Sequence, residues 1–355
     1  MISVLLVARK TLLTQPGGDT YQVLQTQQRL IAAGIRADLY LHQTPEPILG
    51  NYDILHFFNV GRPDDFLSLA MKSGKPFVLT PIYVDYSFAD AHFGGLRSGL
   101  LKWFGSPALE YFKTLLRAAN GSGALHSRAF ILKGWTKSVK YILHHASAVL
   151  PHTLSEQKRL ELQFGNWKGI TRVIPPGVEL VVPEGILKDP NLVICVARIE
   201  KLKNQLGLIR AMKNSPYKLV IIGEAATNQK GYLEECIKES GEKVVFTGQL
   251  SRAEVLQWMA KAQVHAMPSF FETTGLSTVE SILCGCNVVI APTGDQEECF
   301  EEMAFYCDPK DTENIKEAIE KAMNTEVDAI VADKIKQRFS WEKNIENLIE
   351  IYKRI

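Results

Sequence analysis

Short apolar segments alternate with longer amphipathic segments along most of the chain. Strands of a parallel sheet are buried on both faces and give short apolar runs, whereas the helices that cover them repeat every 3.6 residues. The first half has six such runs, at residues 2–7, 36–41, 54–58, 77–80, 148–151 and 171–174. The second half has five, at residues 192–197, 218–222, 243–246, 264–267 and 287–291. The pattern predicts an α/β protein with two doubly wound, Rossmann-like domains.

A linker is predicted at residues 175–190, which hold four prolines and two glycines. We therefore expect an N-terminal domain over residues 1–178 and a C-terminal domain over residues 179–340. A closing helix is predicted at residues 341–355, and its apolar residues could pack on either domain. Two doubly wound domains that face each other leave a cleft at the carboxyl ends of their strands, where such sheets bind ligands.

Composition excludes a disordered chain, because 46% of the 355 residues are hydrophobic and 22% are charged. The net charge of +1 conceals an asymmetry between the two halves. Residues 1–178 carry 19 Lys and Arg against 11 Asp and Glu, and the remainder carries 21 against 28. A basic half is typical of a protein with a phosphate-rich, membrane or nucleic-acid partner, and electrostatic matching between the halves is the alternative.

Residues 93–141 are basic and rich in aromatic side chains, with eight Lys and Arg against the single acid Glu110. This composition suits anionic lipid headgroups and predicts a peripheral membrane contact. The alternative is that the aromatic residues form core beneath solvated charges. No nucleic-acid-binding motif accompanies the charge, so no nucleic-acid partner is expected.

The six cysteines show no spacing typical of a disulfide framework, and no uncharged apolar stretch reaches about 18 residues. The first apolar run is also too short for a signal peptide. We therefore expect a cytoplasmic protein, associated at most with the inner face of the membrane. Cys284 and Cys286 flank Gly285, but no second Cys or His pair follows at zinc-ligand spacing, so no metal site is predicted.

The most informative motif places Glu272 and Glu280 with seven residues between them. Thr273 or Thr274 is expected to cap a helix there, and Gly285 to end it. The apolar stripe of this helix is formed by Leu276, Val279, Ile282 and Leu283. Amides at the start of a helix can bind a phosphate or a sugar hydroxyl. The alternative is an ordinary solvated helix with surface glutamates.

Two further signals follow the first strand of each domain. Arg198 and Lys203 follow residues 192–197, and two converging cations suit a departing diphosphate, although surface charges are the alternative. Gly17 and Gly18 follow residues 2–7 and allow a ligand to approach the backbone closely. The three-glycine dinucleotide spacing is absent, which disfavours a nicotinamide enzyme.

Together these residues resemble the retaining glycosyltransferases of family 4, which have the GT-B fold. The resemblance rests on Glu272 with Glu280, on Arg198 with Lys203 and Asn204, on Pro268-Ser269, on residues 283–286, on Gly17-Gly18, on residues 174–179 and on residues 339–341. It covers nearly the whole chain and is weakest from residue 86 to residue 145. In proteins of this fold, the closing helix packs back onto the first domain.

The resemblance implies a role for each matching residue. Arg198 and Lys203 would hold the diphosphate of a UDP-type or GDP-type sugar donor, Glu280 would bind its ribose hydroxyls, and Glu272 would contact its sugar. Arg198, Lys203 and Glu272 are thus the expected catalytic residues. The donor would also meet backbone groups at Thr274, Gly275, Leu276, Gly17 and Gly18.

The implied reaction is a metal-independent, retaining transfer of sugar from the nucleotide-sugar donor to a carbohydrate or lipid-linked acceptor. No cofactor is expected, and the leaving diphosphate itself would help to deprotonate the acceptor. Surface polysaccharide or glycolipid assembly is the expected setting. Another GT-B enzyme, an epimerase or a phosphorylase, and a catalytically inactive sugar-nucleotide-binding partner are the alternatives.

Three positions depart from the family pattern. Ile82 stands where many members have a histidine that faces the donor sugar, so either the contact is missing or another polar residue replaces it: His126, His144, Tyr83 or Asp85. Asp295 replaces the second glycine of a late pair, and Thr274 replaces a frequent phenylalanine. These departures leave the fold prediction unchanged and the donor sugar open.

Overall fold

The computed structural model describes residues 2–15, 17–42, 45–84, 111, 114, 128–226 and 229–355. These residues form two compact units. The first unit comprises Met1–Gly177 with Trp341–Ile355, and the second comprises Val178–Ser340.

A parallel sheet forms the centre of the first unit, with the strand order β2-β1-β3-β4-β5-β6. Its strands are β1 Ser3–Val7, β2 Arg36–Tyr40, β3 Ile54–Phe58, β4 Phe77–Thr80, β5 Ala148–Val149 and β6 Ile170–Thr171. The helices among the described residues of 1–177 are α1 Gly18–Ala32, α2 Leu67–Lys72, α3 Arg128–His145 and α4 Leu154–Phe164. Within α3 the helix is interrupted at Gly134, where φ is 71°.

Both faces of this sheet are covered by apolar side chains, as the continuous apolar runs predict. Leu5 and Val7 of β1 belong to one buried cluster, and Val4 and Leu6 belong to another. Successive side chains of a strand point to opposite faces, so the two clusters lie on opposite sides of the sheet.

The second unit has the same architecture, with the strand order β12-β11-β10-β7-β8-β9. Its strands are β7 Asp189–Val196, β8 Lys218–Ile222, β9 Val244–Gly248, β10 Ala262–Met267, β11 Asn287–Ile290 and β12 Phe305–Tyr306. Its helices are α5 Gln205–Ala211, α6 Lys230–Glu239, α7 Arg252–Lys261, α8 Leu276–Leu283, α9 Gln296–Phe300, α10 Thr312–Met323 and α11 Ala329–Arg338. The prediction of five strands was wrong by one, because β12 spans two half-buried edge residues, too few to show a pattern.

The closing helix, α12 Trp341–Arg354, packs on the first unit. Its Leu348, Ile351 and Tyr352 are buried in the cluster that contains Val4 and Leu6. The Asn344 amide donates to the Pro175 carbonyl at 2.7 Å. Gly177 passes so close to Trp341 that an added Cβ atom would lie 2.2 Å from the indole Cδ2.

Among the residues described, no helix is both long and apolar enough to cross a membrane. Most of the basic, aromatic segment 93–141 lies outside the described residues.

Candidate functional site

The loop after β7 is shaped by Asn204, which adopts a left-handed conformation with φ 56°. Its side-chain oxygen accepts from the Gly207 amide at 3.3 Å, which caps α5, and its amide donates to the Pro268 carbonyl at 3.1 Å. Lys203 therefore ends a short 3₁₀ turn, Lys201–Lys203, before the helix. Lys203 lies before the first residue of α5, because Asn204 makes the cap.

Lys203 and Glu272 form an ion pair between two loops of the second unit. Their side chains are only 15% and 13% exposed, so water screens the pair less than it would screen a surface pair. The Phe270 amide also donates to the Leu202 carbonyl at 2.8 Å and joins the same loops. The structure thus brings together a cation and a carboxylate that lie 69 residues apart in sequence.

Gly294 allows a third loop to lie against Glu272. Its φ is 66°, and an added Cβ atom would lie 1.9 Å from the Glu272 carbonyl oxygen. The Asp295 amide donates to that oxygen at 2.9 Å, and the Gln296 side chain donates to the Thr273 carbonyl at 2.6 Å. Asp295 itself has φ −109°, which any residue adopts, so a second glycine is not required by the backbone here.

Helix α8 begins differently from the prediction. Its N-cap is Gly275 with φ 68°, and the Thr278 and Val279 amides donate to the Gly275 carbonyl at 2.9 and 3.1 Å. The prediction that Thr273 or Thr274 caps the helix was therefore wrong. Thr274 is buried instead, with 2% exposure. Leu276 becomes the first residue of the helix, where backbone amides give a positive end.

The remainder of α8 follows the prediction. Val279 and Ile282 are buried in one apolar cluster, and Leu276 and Leu283 pack against it. Gly285 has φ 79°, its amide donates to the Ile282 carbonyl, and the next amide donates to the Ser281 carbonyl. This pair of bonds is the Schellman motif, so the predicted glycine ends the helix.

Glu280 lies in the fifth position of α8, and its side chain is 11% exposed. The Arg252 guanidinium, on the first residue of α7, lies 2.8 Å from Glu280 Oε1. Burial raises the pKa of Glu280, and the charge and hydrogen bond of Arg252 oppose that rise. Sequence reasoning missed Arg252, because no local pattern relates two residues that lie 28 positions apart on different helices.

Arg198 lies two residues after the end of β7. Its side chain is more exposed than those of Lys203, Glu272 and Glu280. Its side chain is 60% exposed, and its Nη2 lies 3.6 Å from Glu200 Oε1. Its carbonyl accepts from the Gln205 side chain at 2.9 Å, which fixes its backbone. An exposed guanidinium on a fixed backbone is available to an anionic ligand.

Gly17 and Gly18 lie in the first unit, at the beginning of α1. The Gly17 amide donates to Thr20 Oγ1 at 3.0 Å. Arg9, a buried residue that belongs to none of the predicted motifs, makes a bidentate ion pair with Asp19 at 2.6 and 2.9 Å. Its Nη2 also donates to the Gln15 carbonyl at 2.7 Å, so Arg9 holds the loop that leads to the two glycines.

Ile82 has φ 44° and packs against an apolar cluster of the first unit. Of its proposed replacements, Tyr83 directs its hydroxyl to Gln163 within the unit, and His144 is exposed at the end of α3. His126 and Asp85 lie outside the described residues. Two other histidines of the first unit, His56 and His152, are buried. They line a cavity of about 40 Å³ together with Thr80.

All six cysteines are buried and unpaired. In the described part of the chain, no three His, Cys, Asp or Glu side chains are grouped closely enough to hold a metal ion.

Comparison with known families identifies the second unit. Residues 179–338 match the family model described as glycosyl transferases group 1. This segment is therefore similar to group 1 glycosyl transferases, and Arg198, Lys203, Glu272 and Glu280 all lie within it.

Relatives at low sequence identity are also named glycosyltransferases. A D-inositol 3-phosphate glycosyltransferase of Nocardioides sp. is 22% identical over 95% of this chain and 85% of its own length. An uncharacterized glycosyltransferase of Methanocaldococcus jannaschii is 26% identical over 48% of this chain. The chain aligns with less than half of the length of that second relative, 46%.

Solved structures share the fold over the whole chain. A sucrose-phosphate synthase from Thermosynechococcus elongatus has a TM-score of 0.76 at 16% identity, and the match covers 100% of this chain and 99% of that one. Anabaena HepE, in complex with UDP and glucose, has a TM-score of 0.71 at 17% identity, with 100% of both chains covered. The predicted GT-B fold is thus confirmed.

Proposed function

We propose that this protein is a retaining glycosyltransferase that moves a sugar from a nucleotide-diphosphate donor to a carbohydrate or lipid-linked acceptor. The observation that carries the proposal is the Lys203–Glu272 ion pair, which joins the loop after β7 to the loop before helix α8 inside the family-matched segment. The donor is of the UDP or GDP type. The UDP and glucose bound to Anabaena HepE support a nucleotide-sugar donor, and the names of the relatives support glycosyl transfer.

Each side chain has a separate task in the proposed donor site. Arg198 and Lys203 bind the diphosphate, because charge-assisted hydrogen bonds to phosphate oxygens are the strongest that these cations make. Glu272 contacts the donor sugar, and Glu280 accepts hydrogen bonds from the ribose hydroxyls. Backbone groups at Thr274, Gly275 and Leu276 contribute to the same ligand.

The first unit takes the acceptor in this proposal. Gly17 and Gly18 would approach the ligand closely, and the Arg9–Asp19 ion pair would fix the base of their loop. The acceptor is a sugar or a lipid-linked sugar.

The proposed reaction breaks the bond between the anomeric carbon and the diphosphate oxygen and forms a bond to the acceptor oxygen on the same face. The diphosphate leaves with the electron pair and takes the acceptor proton. Arg198 and Lys203 stabilise the negative charge that develops on the leaving group, which is the largest contribution expected of the protein. No metal ion and no cofactor are required in this scheme.

The test is incubation with a panel of nucleotide sugars, with and without candidate acceptors. Release of free nucleoside diphosphate together with an acceptor product of retained anomeric configuration supports the proposal, and its rate is expected to survive chelation of divalent metals. Product formed from free sugar phosphate would indicate a phosphorylase, and an isomerised donor would indicate an epimerase. Binding of the nucleotide sugar without turnover would indicate an inactive partner.

We further propose a peripheral membrane contact through residues 93–141, on the cytoplasmic face, in surface polysaccharide or glycolipid assembly. In the described part of this segment, Leu132 is 88% exposed and Ile131 is 46% exposed. Lys133 and Lys137 lie on the same helix, so apolar and basic side chains occur together there, as interfacial helices require. Co-sedimentation with vesicles that contain anionic lipid tests this contact, and Leu132→Asp is expected to weaken it.

A further inference from the structure

Arg252 occupies a fixed position at the beginning of α7. The preceding residue, Ser251, caps the helix and forms a capping box with Glu254. The Ser251 amide and hydroxyl donate to Glu254 Oε2 at 2.9 and 2.6 Å, and the Glu254 amide donates to Ser251 Oγ at 3.3 Å. Such reciprocal bonds fix the first turn of a helix, so the backbone of Arg252 is held in place.

The backbone of Glu280, the partner of Arg252, is also held in place. Its neighbours Val279 and Ser281 are fully buried, and α8 ends in the Schellman motif at Gly285. Its backbone therefore cannot shift without disturbing the core. A carboxylate on such a helix still has rotatable side-chain bonds, and an outside partner is needed to select one rotamer.

The contact between the two residues selects that rotamer. Arg252 Nη1 lies 2.8 Å from Glu280 Oε1, whereas the Arg252 side chain is 47% exposed. One carboxylate oxygen is thus bound to the guanidinium. Each carboxylate oxygen has two lone pairs, so Oε2 retains the capacity to accept from a ligand.

We propose that Arg252 is a positioning residue for the donor, which orients the Glu280 carboxyl group so that it accepts hydrogen bonds from a ribose diol. This inference rests on the proposed function, because it assigns the ribose of the donor to Glu280. Arg252 itself does not contact the reacting atoms. The inferred ligand chemistry is a vicinal diol attached to a nucleoside diphosphate.

The experiment measures binding by calorimetry with two kinds of probe. UDP, GDP and ADP are tested first, and the tightest of them is then compared with its 2′,3′-dideoxy analogue. Arg252→Ala is expected to weaken binding of the ribose form by about tenfold, as expected when one charge-assisted hydrogen bond is disturbed. It is expected to leave binding of the dideoxy form unchanged, because that ligand offers Glu280 no hydroxyl.

Two further variants separate positioning from general damage. Arg252→Lys keeps a cation at the site and is expected to recover part of the affinity for the ribose form. Arg210→Ala removes another half-exposed arginine of the second unit, 3.7 Å from Glu239, and is expected to change neither affinity. Should Arg252→Ala not fold, Arg252→Lys carries the same comparison between the two ligands.

The outcomes distinguish this inference from the proposed function. If no nucleoside diphosphate binds the wild-type protein, the proposed function is overturned and the inference falls with it. If a diphosphate binds but Arg252→Ala binds it normally, only the inference is overturned. Equal weakening of the ribose and dideoxy forms also overturns the inference, because the effect would then not pass through Glu280 and the diol.

Discussion

The Lys203 ammonium contacts the Glu272 carboxylate across two loops, and both side chains are mostly buried. Under the proposed function, both residues face the donor, Lys203 at its diphosphate and Glu272 at its sugar. An incoming diphosphate must therefore compete with Glu272 for Lys203. We expect the ion pair to keep the cation in place before the donor arrives and to lower the affinity for the free diphosphate.

Replacing Glu272 by Gln tests this competition. We expect Glu272→Gln to bind UDP or GDP about fivefold more tightly, because a buried negative charge is removed beside the diphosphate site. Transfer is expected to fall by about 10² because the contact to the donor sugar is weakened. Calorimetry and a turnover assay give the two values. Glu239→Gln is the control. Weaker diphosphate binding by Glu272→Gln, with normal turnover, would contradict the competition between Glu272 and the diphosphate.

Arg198 is expected to matter for catalysis and not for folding. Arg198→Ala should lower the turnover number by about 10² to 10³, since one stabilising donor to the leaving group is lost. The midpoint of thermal unfolding should stay the same, because the side chain is 60% exposed and its partner Glu200 lies at 3.6 Å. Arg210→Ala provides a matched surface control. Normal turnover in Arg198→Ala would remove this residue from the diphosphate site.

Gly294 is expected to be intolerant of any side chain. In Gly294→Ala, the new Cβ atom would lie 1.9 Å from the Glu272 carbonyl oxygen, and φ is 66°. The loop must move, so the free energy of unfolding should fall by about 2 kcal/mol or more, and donor binding should weaken. Urea denaturation measures the change. Gly241→Ala is the control, because no atom lies within 4 Å of its Cβ position, and equal stability of both variants would contradict the prediction.

Stability is expected to fall in mild acid because of buried histidines. Burial lowers the pKa of His56 to about 3, of His152 to about 4 and of His265 to about 3. Below the ordinary pKa of 6.5 the unfolded chain binds protons that the folded chain does not, so the free energy of unfolding decreases as the pH falls from 6.5 towards 4. Each histidine contributes up to about 1.4 kcal/mol per pH unit.

Urea denaturation between pH 7 and pH 4.5 measures this slope. His56→Gln should reduce the slope, whatever it does to stability at pH 7. The same slope in wild-type protein and His56→Gln would show that His56 takes up its proton in the folded state.

The sheet could be predicted because its strands are buried on both faces. Residues 54–58, 77–80 and 218–222 were predicted as strands, and the structure has the same boundaries there. A strand covered on both sides is apolar along most of its length, and such a run is visible in the sequence. Strand β12 was not predicted, because its two edge residues are too few to form an apolar run.

The site was predicted less completely, because its important contacts are not local. The beginning of α8 was misassigned because Thr273 and Thr274 are good capping residues, whereas the chain uses Gly275 in a left-handed conformation. The Arg252–Glu280 contact joins two helices, and the Arg9–Asp19 contact closes a loop. Each depends on the packed fold, which composition and spacing do not describe.

The most direct test of the account is a crystal structure of the protein with bound UDP or GDP. We predict that the terminal phosphate lies within about 3 Å of both Lys203 Nζ and the Arg198 guanidinium, with the ribose hydroxyls on Glu280. Lys203 should then have moved from Glu272 to the phosphate. A diphosphate bound elsewhere, or no bound diphosphate with Lys203 still paired to Glu272, would contradict the account.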